Sequence, residues 1–144
     1  MSAYELILTV HVLTFSVNII LVIAADLNAL RWVLGWKQVL SSTLMRRLHR
    51  LISVGLGVSV ITGLYLFWGV RDYLLTVPAF YTKLLLVVML VVNSFFIGKH
   101  IMIATKRSFT DLSSAERRPL YISGIVSMCG WVGVYVVAQF LGLS

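Results

Sequence analysis

Apolar residues run through this chain in four long blocks, separated by short stretches that hold nearly all of its charges. The blocks are Leu6 to Ala25, Leu51 to Val70, Leu84 to Gly98 with extensions at both ends, and Pro119 to Ser144. A helix that crosses a bilayer needs ~20 mainly apolar residues at ~1.5 Å each. The pattern therefore predicts an all-α fold, an integral membrane four-helix bundle, formed by one transmembrane domain over residues 1–144. Its helices are expected at about 4–30, 48–70, 79–103 and 119–141.

The polar stretches sharpen the ends. In residues 31–40, Trp32, Val33, Trp36, Val39 and Leu40 recur at helical spacing with Lys37 and Gln38 opposite, which predicts a short helix lying at the headgroup level. Trp32 and Trp36 are expected there as interface anchors. Ser41, Ser42 and Thr43 offer hydroxyls to the first unpaired amides of helix 2. Pro78 suits the first turn of helix 3. Ser113 and Glu116 match a capping box before helix 4, and the spacing leaves open whether that helix starts there or near Pro119. Gly55, Ser59 and Gly63 on helix 2 and Ser123, Ser127 and Gly130 on helix 4 form two small-residue stripes, seams for close approach of another helix of this chain or of a second chain.

Composition narrows the class. Sixty per cent of residues are hydrophobic and 12% charged, more apolar surface than a soluble domain can bury, and four spans leave no room for a soluble catalytic module. The net charge of +7 would suit nucleic acid if it formed a basic face, but the basic residues flank the apolar blocks, and no nucleic-acid partner is expected. Arg31, Lys37, Arg46, Arg47 and Arg50 lie between the first two blocks, and Lys99, Lys106, Arg107, Arg117 and Arg118 between the last two. Only Arg71 and Lys83 remain for the other side. The positive-inside rule then puts both termini on the non-cytoplasmic side, in what we expect to be a bacterial inner (cytoplasmic) membrane. No Lys or Arg precedes the first block, so a cleavable signal peptide is not expected. Cys129 is the sole cysteine, which excludes an internal disulfide and suits packing.

Polar residues inside the spans are the candidates for chemistry, because an ionisable group facing lipid costs at least a few kcal/mol. On helix 1, His11, Asn18 and Asp26 share one broad face, at steps of seven and eight residues. Counting ~1.5 Å per residue from the helix centres places His11 roughly 9 Å and Lys83 roughly 12 Å on the outer side of the midplane. Asp26, His49 and His100 fall together roughly 13 to 15 Å on the inner side, close to Arg46, Arg47 and Arg50. Asn18 and Asn93 lie near the middle, where their amides are expected to bond across helices.

A neutral imidazole binds heme iron, and helical bundles build such sites from inward side chains. His11 is the first candidate, and His49 with His100 a second, bis-histidine one, the alternative being that this inner pair faces headgroups and water. Lys83 either snorkels to the outer headgroups or pairs with a carboxylate such as a porphyrin propionate. Asp26 is either a proton-path residue or the partner of Arg47 or His100. Met1, Met45, Met89, Met102 and Met128 lack the close spacing of a copper relay.

An early histidine in helix 1, the basic start of helix 2 and its close at Thr62-Gly-Leu-Tyr-Leu66, and a helix 3 opening Phe80-Tyr-Thr-Lys83-Leu-Leu-Leu-Val-Val resemble the HemJ-type protoporphyrinogen oxidases and the related CopD-like membrane proteins. The resemblance covers most of the chain through a handful of positions, Asn93 in helix 3 among them. It implies heme b within the bundle, with His11 as ligand and Lys83 as the essential, catalytic partner. The chain departs from the HemJ pattern in having Ala25-Asp26-Leu-Asn-Ala in place of a Pro-Arg-Leu-like stretch, and Asn93 where a histidine stands late in helix 3. The expected function is a heme b-associated redox protein of HemJ-like type, with porphyrin or quinone among its partners besides the lipid bilayer. The alternative is a non-enzymatic accessory or assembly subunit that docks onto other membrane subunits through the small-residue stripes.

Overall fold

The computed structural model describes residues 2–141, and it is helical almost throughout. Four helices, α1 (Ala3–Val33), α2 (Ser42–Leu74), α3 (Pro78–Ala104) and α4 (Ser114–Gln139), are each long and apolar enough to cross a membrane. A three-residue 3-10 turn, Phe109–Asp111, precedes α4. The 31 residues of α1 extend ~46 Å, more than the ~30 Å of hydrocarbon, so its ends project beyond the apolar layer.

Each start has a local cause. Ser2 and Glu5 form a capping box at α1, the Ser41 hydroxyl accepts the Leu44 amide at 3.3 Å, and Pro78 occupies the first turn of α3. Ser113 and Glu116 close the capping box of α4, which runs unbroken through Pro119. Helix 4 therefore starts directly after the cap, at Ser114, five residues before the proline. Near its C-terminal end α2 leaves helical geometry once, at Val70, before resuming to Leu74.

The short interfacial helix expected over residues 31–40 does not form. Instead α1 continues to Val33 and the chain then turns at Gly35, whose φ of +77° is open to glycine at little cost. Leu40 is tied back by donating its amide to the Ala104 carbonyl at 2.9 Å. Trp36 stays 74% exposed as an anchor would, but Trp32 is 3% exposed. Its indole Nε1 donates to the Arg107 carbonyl at 3.0 Å, and its ring meets Phe109 edge-on. A tryptophan expected at the headgroups thus closes the end of the bundle.

Helices α1 and α2 pair as one antiparallel hairpin and α3 and α4 as another, joined by the short turn between α2 and α3. Both small-residue stripes are spent within these hairpins. Gly55 and Gly63 lie under Asn18 and His11 of α1, while Gly130 lies under Leu90 of α3 and Ser123 and Ser127 are buried. Outward, Ile20, Ile61, Phe95 and Ile125 represent an apolar surface on all four helices, the inverse of a soluble protein. Cys129 is also exposed and does not pack inside. The chain is an integral membrane protein of four helices.

Candidate functional site

His11 is half-buried where α1 crosses α2, in the room left by Gly63. Its Nδ1 lies 2.8 Å from the Thr62 hydroxyl. That hydroxyl has a single proton, and it sits 2.7 Å from the Val58 carbonyl and 3.2 Å from the Ser59 carbonyl, both of which can only accept. With the Thr62 proton donated to its own helix, His11 Nδ1 is the donor of this bond. The neutral ring is thereby held as the Nδ1–H tautomer with the Nε2 lone pair free, the arrangement that suits an imidazole to a metal bond. Lys83 is half-buried on α3, within electrostatic range of the His11 ring. The sequence quoted Thr62 only as part of a motif, and nothing in the spacing marks it as the residue that orients His11.

At the other end, Asp26 of α1, His49 of α2 and His100 of α3 line one cavity of about 160 Å³. The depth count predicted their shared level. Gly98 makes room for His49, whose Nε2 lies 3.5 Å from where a β-carbon at that position would sit. Each of the three side chains is half-buried, and among the described residues Asp26 forms neither a salt bridge nor a hydrogen bond, so the expected pairing with Arg47 or His100 is not made. The rest of the wall is mostly apolar and aromatic, with Trp32, Phe109, Tyr121 and Trp131 on it, none of which the sequence singled out as site residues.

The mid-level amides bond across helices as expected. Asn18 Nδ2 donates to the Ile52 carbonyl at 3.3 Å. Asn93 Nδ2 donates to the Ser123 carbonyl at 2.9 Å and its Oδ1 accepts the Ser123 hydroxyl at 2.8 Å.

Among the described residues no three or more His, Cys, Asp or Glu side chains converge to hold an ion. Heme asks for less, one or two axial imidazoles. His11 fits that demand in its donor chemistry. The inner cavity is on the scale of the ~150 Å³ void that holds a benzene ring, whereas a porphyrin joins four rings. His49 and His100 both line this partly open space, and His11 and Lys83 are not among its lining residues. Set against protein-family models, curated proteins and solved structures, the chain matches none.

Proposed function

We propose that the protein is a heme b-associated redox protein of HemJ-like type in the bacterial inner membrane, with His11 as axial ligand and Lys83 as partner of a propionate or a substrate carboxylate. The observation that carries this reading is the Thr62 hydroxyl, which leaves Nε2 of His11 free to bond iron. Bound heme supplies one-electron transfer through its iron. The chain supplies the rest: Thr62 orients the imidazole, the α1–α2 contact half-buries it, and Lys83 brings a positive charge to the same end of the bundle.

The test is a reduced-minus-oxidised absorption spectrum of protein purified from heme-replete cells. Heme bands are expected in the natural chain and not in His11→Ala at equal helicity. Fully helical protein without such bands overturns the reading. An accessory or assembly subunit is the competing role, but the stripes that argued for it are covered inside the chain. Mild-detergent purification separates the two, since an obligate subunit travels with its partners and a self-sufficient redox protein runs at its own mass.

A further inference from the structure

The three inner titratable side chains take no part in the heme reading, yet they come from three different helices to one space. We propose that this cavity binds the headgroup of a quinone or quinol: a flat, uncharged six-membered ring with an oxygen on each of two opposite edges.

Four features select that chemistry. A volume of about 160 Å³ is near the size that holds a single six-membered ring, and the walls are largely apolar and aromatic. His49, His100 and Asp26 supply hydrogen-bonding groups from different sides; a neutral imidazole can donate to a quinone oxygen or accept from a quinol hydroxyl, and a carboxylate accepts from a quinol. None of the twelve Lys and Arg residues lines the space, which disfavours a phosphate or carboxylate headgroup. The three groups do not converge as an ion site does, which disfavours a metal. The level of the cavity agrees as well. Asp26, His49 and His100 sit roughly 13 to 15 Å from the midplane by helix rise, where a lipid-soluble ring with polar edges meets the headgroup boundary.

Tryptophan reports on this space directly, because Trp32 and Trp131 line it. The exposed Trp36 and Trp68 are replaced by phenylalanine to remove the lipid-side signal. Decylubiquinone titrated into the protein in nanodiscs is expected to quench the remaining fluorescence saturably. His49→Ala with His100→Ala should weaken that binding by about tenfold or more, the scale of one or two hydrogen bonds lost. Ser53→Phe, which grows from a half-buried cavity-lining position, should abolish it while α-helical content is kept. Quenching that rises linearly without saturation means that the probe only partitions into lipid, with water filling the cavity, and overturns the proposal. Saturable quenching that is unchanged in both variants overturns it too. The proposal is independent of the heme reading: His11→Ala removes heme bands if that reading holds and should leave quinone binding intact, so the two fail separately.

Discussion

The side-chain amide of Asn18 fills the volume that a methyl group on Gly55 would need, and the same amide donates to the carbonyl of Ile52, three residues earlier on α2. One contact thus combines close backbone approach with a buried hydrogen bond, the two resources that hold helices together where lipid is as apolar as the protein. Gly55→Ala should therefore overpack the seam and lower stability by ~1–3 kcal/mol. Gly57→Ala, whose new methyl meets nothing within 4 Å, should leave stability unchanged or raise it slightly through helix propensity. Thermal unfolding followed by circular dichroism in one detergent compares the two, and equal losses would contradict the assignment of the seam.

Of the two bonds between Asn93 and Ser123, only the one from the Ser123 hydroxyl to Asn93 Oδ1 depends on both side chains, since Asn93 Nδ2 donates to the backbone carbonyl. A double-mutant cycle with Asn93→Ala and Ser123→Ala is expected to return a coupling of ~0.6 kcal/mol, with ~1.7 kcal/mol the most that such pairs have given in membranes. A coupling indistinguishable from zero would mean that the amide finds another partner once the hydroxyl is gone.

Thr62 is expected to govern how well His11 binds iron. Thr62→Val keeps the shape and removes the acceptor of the Nδ1–H bond, and loss of such an orienting partner costs ten- to a hundredfold in affinity at other sites, roughly the drop expected here. Thr62→Ser retains the hydroxyl and should retain the affinity. Heme titration of the three proteins, read at the Soret band, checks both statements.

The two tryptophans on either side of the end of α1 should part company. Trp32→Phe removes the buried donor to the Arg107 carbonyl and is expected to cost ~1–3 kcal/mol. Trp36→Phe, on the exposed side, should stay within ~0.5 kcal/mol of the parent. Thermal stability of the two single variants decides it, and a Trp36→Phe loss as large as that of Trp32→Phe would restore the view of both rings as equivalent anchors.

Much of the architecture was legible because membrane helices are written in long, one-dimensional signals. Apolar length gave four spans and Pro78 one start, whereas α2 and α4 begin at the caps Ser41 and Ser113, several residues before the expected 48 and 119, because cap hydroxyls carry the helix past the end of the apolar block. A count of residues put Asp26, His49 and His100 at one depth. What depth counting cannot resolve is azimuth. Trp32 and Trp36 are four residues apart and look alike in the sequence, yet Gly35 turns the chain between them, so one faces in and the other out. The same limit hid Thr62. Its role depends on which face of α2 meets His11 and on two carbonyls of its own helix that use up its proton. The stripes were recognisable as seams, but only the fold reveals that each is occupied from within its own hairpin.

The cavity sits across the junction of the two hairpins, with walls contributed by every helix, whereas Asn18 and Asn93 are each satisfied inside a single hairpin. The chamber has no counterpart in either half alone, so a molecule bound in it would touch both hairpins at once and hold one against the other.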